Sequence, residues 1–282
     1  MRKLLLHLRR EWYAYLILIV TSIVVLLPLA MAFIGSTHDD ATIGAGRMPF
    51  WPGKHALENY ARAWVKGAEY GAVSVRKLML NSFIMAFFIA AGKVILAITT
   101  AYAIVFFHFP FRNLVFAVVL VTIMLPLHVR MFQTYQIASQ FRLLNTYIGL
   151  ILPWVVSTTG VLLFRGCLRA FPKELLEAAK IDGAGPIRCL WSVVLPMLRP
   201  HIAALFVVMF LYGWNQYLWP LLITTKPEMQ TVPIGLVRML GGPEAATEWG
   251  VVMASTVICL TVPVIVVLFG QRHLIRLAEI GK

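Results

Sequence analysis

FPKELLEAAKIDGAGPIRCLWSVVLPMLRP, Phe171 to Pro200, is the longest polar interruption in the C-terminal half of this 282-residue chain. It reads as two short helices and a break. Pro172 suits the first turn of a helix, where its missing N–H would have no partner in any case. Leu175, Leu176 and Ala179 share one apolar side, with Glu177 on the exposed side. Gly183 is placed to be a left-handed C-terminal cap, and Gly185-Pro186 prevents the helix from continuing. A second helix is expected from Pro186, with Ile187, Leu190, Trp191 and Val194 as its apolar side at i, i+3, i+4 and i+7. Pro196 and Pro200 are expected to break the chain before the next apolar run. A short amphipathic helix between two apolar runs is a surface suited to a partner.

Around this stretch the chain is strongly apolar: 60% of residues are hydrophobic and 13% charged. Soluble domains carry about 45–50% and about 25% respectively, so the composition indicates an all-α integral membrane protein. The net charge of +13 does not indicate nucleic acid, because no basic helix carries interleaved base-stacking aromatics. A membrane protein instead holds Lys and Arg in its loops, in excess on the cytoplasmic side. Six transmembrane helices are expected over about 12–34, 81–107, 114–137 (kinked at Pro126), 146–164, 202–223 and 251–270. They would form one transmembrane domain, 1–282, with the loop 165–200 and both termini in the cytoplasm. That orientation puts fourteen Lys and Arg inside and ten outside, Lys93 excepted. Ala30-Met31-Ala32 resembles a signal-peptidase site, but the run before it exceeds a signal's apolar core of about 7–15 residues, which favours an uncleaved first span. The polar segment 36–80 is expected outside, with a short amphipathic helix near Leu57–Trp64. Cys167, Cys189 and Cys259 lack metal or disulfide spacing; Cys259 is expected buried and Cys189 accessible to labels.

The chemistry present is sparse. No Gly-x-x-x-x-Gly-Lys-Ser/Thr phosphate cradle occurs, so ATP hydrolysis is not expected of this chain. No Asp or Glu lies inside the six runs, and the seven histidines show no metal-ligand spacing. Lys93 is the one ionisable residue well inside a run. An ammonium there either faces a watery path or the protein interior, or snorkels or pairs with a helix carbonyl. In LYGWNQYLWP, Leu211 to Pro220, Gly213 and Pro220 bracket Trp214, Asn215 and Tyr217. A broken helix there would offer hydrogen-bonding groups to a polar solute, and an interfacial aromatic belt is the other reading. Arg130, after the Pro126 break, could meet an entering anion or serve as an interfacial cation.

Glu177-Ala178-Ala179, three residues, Gly183, nine residues, Val193, one residue and Leu195-Pro196 resemble the EAA loop of ABC-importer membrane subunits. Val193 replaces that pattern's Ile. Gly213–Leu222, Thr247-Glu248-Trp249, Leu80–Phe87, Phe109–Leu114 and Leu125–Arg130 extend the resemblance to the carbohydrate, maltose-type group. Within that group the permeases of sn-glycerol-3-phosphate importers are the nearest in pattern. The resemblance implies an importer-permease fold with a cytoplasmic coupling helix, in the bacterial inner membrane. It implies a heterodimer with a sister permease, two copies of an ABC ATPase subunit, and a periplasmic or extracellular solute-binding protein. ATP and Mg would sit on the ATPase, with no cofactor on this chain. Glu177 and Asp182 would contact the ATPase, Ala178 and Ala179 would allow close approach, and Gly183 would make the turn. The cargo implied is glycerol-3-phosphate or a glycerophosphodiester; a neutral sugar or oligosaccharide is the alternative, and a non-transporting membrane scaffold a further one. With a phosphorylated cargo, Lys93 and Arg130 would gain a purpose.

Overall fold

The computed structural model describes residues 12–68, 73–124, 127–241 and 247–280. The basic residues before Trp12 and the Pro126 kink lie outside them. Among the described residues every regular element is helical: α1 (Trp12–Gly35), α2 (Asp40–Gly44), α3 (Ala56–Val65), α4 (Val75–Phe106), α5 (Arg112–Met124), α6 (Leu127–Gln140), α7 (Tyr147–Ile151) and α8 (Thr158–Arg169) come first. They are followed by α9 (Lys173–Ile181), α10 (Pro186–Cys189), α11 (Leu195–Met197), α12 (Arg199–Trp214), α13 (Leu218–Ile223), α14 (Val232–Met239) and α15 (Trp249–Ile280). Three of these are long and apolar enough to cross a bilayer: α1, α4 and Trp249–Gln271 of α15. Two further candidates are bent pairs, Tyr147–Trp154 with Thr158–Arg169 at 47° and Pro186–Met197 with Arg199–Trp214 at 78°.

The chain divides into two units, one drawn from Met1–Arg76 and Gly235–Thr261, the other from Lys77–Ile234 and Val262–Lys282. In the first, α1 is exposed along nearly its whole length and buries only Gly35. Its 24 residues give about 36 Å at 1.5 Å per residue, more than the roughly 30 Å of hydrocarbon. A polar knot follows. Asn59 donates to the carbonyls of Ser36 (3.0 Å) and His38 (2.8 Å), and Gly53 N–H donates to Thr37 Oγ1 at 2.6 Å. Asp40 accepts from Gly250 N–H at 2.8 Å, and Arg62 pairs with Glu248. The expected amphipathic helix is α3.

In the second unit α4 is the central rod. Leu78, Ser82, Met85, Ile89, Lys93, Ala97 and Ala101 recur every three or four residues as one buried stripe. Phe83, Phe88, Ile95 and Leu96 lie exposed on the other side. Small residues let the neighbouring helices come close: a Cβ at Gly213 of α12 would stand 2.8 Å from the Ala86 Cα. One apolar cluster joins Ile98 and Tyr102 of α4 to Phe164, Leu168, Phe171, Leu176, Cys189, Val194 and Leu198. A second gathers Met85, Ile89, Leu150, Trp154, Trp219 and Ile223, with Trp219 Nε1 donating to the Gly149 carbonyl at 3.2 Å.

Several expectations are corrected. The run expected from 81 begins as helix at Val75, because the polar Arg76 and Lys77 continue the helix that hydropathy alone does not see. The run 146–164 is broken: Pro153 sits in a 3-10 turn, Leu152–Trp154, and α8 starts afresh at Ser157. Pro196 does not break the chain; it lies in α11, and the bend comes at Leu198, before Pro200 in the first turn of α12. Cys189 is buried, with its Sγ directed at the Ala184 carbonyl at 3.5 Å. Ile187 and Trp191 are exposed, so they are not on the inward side of their helix. A π turn, Leu190–Val194, inserts extra backbone here; Val194 is buried and Leu190 packs on the core as expected, while Cys189 takes the inward place in the turn before them.

Candidate functional site

The break between α7 and α8 builds a cavity of about 620 Å³ within the second unit. Thr146 caps α7 by accepting from Gly149 N–H at 3.0 Å, and Ser157 caps α8 by accepting from Gly160 N–H at 3.1 Å. Between them Val156 has a carbonyl with no helical partner, and Lys93 of α4 donates to it at 2.9 Å. The same ammonium stands 5.2 Å above the Tyr212 ring, a cation–π contact. Lys93 is 7% exposed. A lysine buried within the protein needs such partners, and a broken helix supplies one through its free carbonyl.

Arg130 of α6 lines the same cavity, together with Thr122, Thr134, Ser157, Thr158 and Thr159. Thr122 donates to the Val119 carbonyl at 2.7 Å, so in its 2.9 Å bond with Thr158 the Thr158 hydroxyl is the donor. Trp154, Tyr212 and Trp219 form the aromatic wall, with ring centroids 6.1 Å apart for each pair made by Trp154. None of the described lining residues is acidic. Two cations and a row of hydroxyls stand here beside aromatic rings, with no carboxylate among the described lining residues.

Of the candidates read from the sequence, Lys93 and Arg130 thus meet. Asn215 and Tyr217 line a second, more open cavity of about 550 Å³, which shares Met131 and Tyr212 with the first. Asn215 caps the end of α12, its Nδ2 donating to the Leu211 carbonyl at 3.0 Å. The helix breaks at Asn215–Tyr217, as the bracketing glycine and proline suggested, but Gly213 itself is helical and serves packing. Trp214 is buried, stacks on Phe210 at 6.1 Å and lines neither cavity. Tyr212, Trp154 and the hydroxyls of 157–159 were missed. Pro153 and the Ser157 cap were the available signal.

At the other end of α4, Tyr102 Oη donates to the Pro186 carbonyl at 3.0 Å and holds the decisive stretch. Leu176, Ala179, Cys189, Val194 and Leu198 face the unit's core, leaving Glu177, Ala178, Asp182 and Gly183 exposed. Gly183 has φ +75°, and Ala184 N–H donates to the Ala179 carbonyl at 2.9 Å while Gly183 N–H reaches that of Lys180 at 3.0 Å. The left-handed cap expected at Gly183 is present, and its two bonds make it a Schellman motif. Ile181, Ile187 and Trp191 stand exposed beside it, 86%, 75% and 69% accessible, apolar groups left uncovered by the described residues.

Residues 8–279 match the family model of the binding-protein-dependent transport system inner membrane component. The chain is 43% identical over 264 residues to the sn-glycerol-3-phosphate transport system permease protein UgpE of Yersinia pestis bv. Antiqua (strain Antiqua), covering 94% of each. It is 42% identical over 270 residues to UgpE of Escherichia coli O157:H7, covering 95% of this chain and 96% of that one. In fold it matches a chain from the crystal structure of a bacterial ABC transporter involved in the import of the acidic polysaccharide alginate. That match has a TM-score of 0.79 at 18% identity and covers 94% of this chain and 96% of the other. With a match that runs almost from end to end, this chain belongs to the family of binding-protein-dependent transport system inner membrane components, the permease subunits of ABC importers.

Proposed function

We propose that this permease imports sn-glycerol-3-phosphate or glycerophosphodiesters into the cytoplasm, and that Lys93 and Arg130 receive the phosphate. The observation that carries the reading is their shared cavity, which has no acidic side chain among its described lining residues. A buried ammonium and an exposed guanidinium on one cavity, with no carboxylate among the described lining residues, favour an anion over a neutral sugar. The named function of the two relatives supports the same cargo.

In this reading the chain spans the bilayer six times, through α1, α4, α5 with α6, α7 with α8, α12 with α13, and α15, with both termini and the loop 165–200 in the cytoplasm. It works as half of a heterodimer with a sister permease, over two copies of an ABC ATPase that bind ATP and Mg, and takes cargo from a solute-binding protein outside. Residues Glu177, Ala178, Ala179, Asp182 and Gly183 form the contact through which ATP-driven closure is transmitted. The exposed Ile181, Ile187 and Trp191 support that contact, since a groove closing on α9–α11 would cover them. Asn215 and Tyr217 guide cargo through the second cavity; Trp214 holds the helix that bears them.

The test is Lys93→Gln and Arg130→Gln in the reconstituted importer. Each should lower glycerol-3-phosphate uptake about tenfold or more, the weight of a lost charge-assisted hydrogen bond. Wild-type uptake in both variants would return the two cations to structural roles.

A further inference from the structure

We propose that Tyr212 is a positioning residue that latches this path: its ring rests on Lys93 until an anion takes the ammonium, and returns to it when the anion leaves. This deepens the reading above and rests on it. Tyr212 of α12 and Met131 of α6 line both cavities, so these two side chains form the partition between them. Met131 is buried in the apolar cluster of Met85, Ile89 and Trp219, whereas Tyr212 is 38% exposed. Of the two, the tyrosine is the one with room to move.

Two contacts hold the ring. The Lys93 ammonium stands 5.2 Å from its centroid, and the Trp154 ring lies 6.1 Å away, centroid to centroid, tilted by 51°. An ammonium can donate three hydrogen bonds, and the Val156 carbonyl takes one of them at 2.9 Å. No carboxylate is among the described lining residues, so the negative ring face stands where an anion would. A phosphate oxygen offers Lys93 a charge-assisted hydrogen bond, which is stronger than a contact with a ring face, and therefore displaces the tyrosine. A neutral hydroxyl offers the ammonium much less and leaves the partition in place. The exchange runs both ways: the returning ring competes with the phosphate for Lys93 and speeds its release.

The charge of the ring face can be changed while the ring keeps its place. Tyr212→Phe and Tyr212→trifluorophenylalanine both lack the hydroxyl and keep the ring, but fluorine withdraws charge from the face that the ammonium meets. Each would be placed in the complete importer, purified with its sister subunit and ATPase, and the Kd for labelled sn-glycerol-3-phosphate measured at equilibrium without ATP. A ring that competes with the anion holds Lys93 less firmly once fluorinated, so we expect that protein to bind the ester about fivefold more tightly than Tyr212→Phe. A residue that only walls the path would not tighten binding. Equal affinities, or weaker binding by the fluorinated protein, would overturn the latch. If the fluorinated protein does not assemble, Tyr212→Leu, which removes the face altogether, should bind the ester more tightly than wild type; equal or weaker binding there overturns the latch as well. A wild-type importer that takes up no glycerol-3-phosphate when given binding protein and ATP would instead sink the cargo reading, and this inference with it, so the two failures are distinct.

Discussion

Lys93 shows how a single residue can trade fold stability against function. Its ammonium is desolvated among apolar helices and holds one carbonyl and one ring face, with no carboxylate. Replacing a buried charge by an apolar group of similar length is often neutral or stabilising. Lys93→Met should therefore leave the thermal midpoint of the detergent-purified complex unchanged or raised, while uptake falls; a drop in both would assign the lysine to structure. Gly183 is the opposite case. Nothing lies within 4 Å of a Cβ built there, so the only obstacle to a side chain is φ +75°. Gly183→Ala should cost about 1–2 kcal/mol locally, read as faster amide exchange at Gly183 and Ala184; unchanged exchange would contradict this. At Asp39 the Thr42 hydroxyl, donating at 2.6 Å, holds the carboxyl below the usual carboxylate range. A lowered folded pKa means that the bond stabilises above the unfolded carboxylate's pKa and is lost as pH falls through the folded one. Protection of the Thr42 N–H should accordingly disappear only in acid.

Among the elements, the exposed stretch α9–α11 was the most legible and also the place where periodicity misled. Its caps follow local chemistry: Gly183 had to adopt a left-handed turn and Pro186 had to start a helix, and both do. Its inward side was misassigned because a 3.6-residue period was extended through Leu190–Val194, which is a π turn. No residue type marks that turn, which the packing of Cys189 and Val194 against the core imposes. Labelling separates the two versions. Ile187→Cys in a Cys189→Ala background should react quickly with a maleimide, and Cys189 alone slowly. Rapid labelling of Cys189 would restore the original assignment. Applied from the cytoplasmic side only, the same Ile187→Cys reaction tests the orientation. Glu177→Ala should uncouple ATP hydrolysis from uptake in an importer assembled at normal yield.

For the molecule as a whole, composition was enough to identify a helical membrane protein, because hydrocarbon leaves a chain few other ways to satisfy its backbone. It could not show that the fourth run breaks at Val155–Ser157, nor that this break faces Lys93 and Arg130. Those depend on which helices pack together, information carried by contacts between residues distant in sequence. Pro153 and Ser157 signal the break locally, but its purpose appears only when α4 and α6 are set against it. Trp219, fully buried between the two breaks, is the main anchor of that arrangement. Trp219→Ala should destabilise the protein by about 3–5 kcal/mol, seen as a lowered thermal midpoint.

A phosphate-ester path through this chain is open to direct test by uptake. Vesicles holding this permease with its sister subunit and ATPase, supplied with the binding protein and ATP, would be offered labelled sn-glycerol-3-phosphate and labelled maltose. The phosphate ester should be taken up saturably and only with ATP, and the sugar not at all. Uptake of maltose alone would contradict it, leaving Lys93 and Arg130 as structural cations.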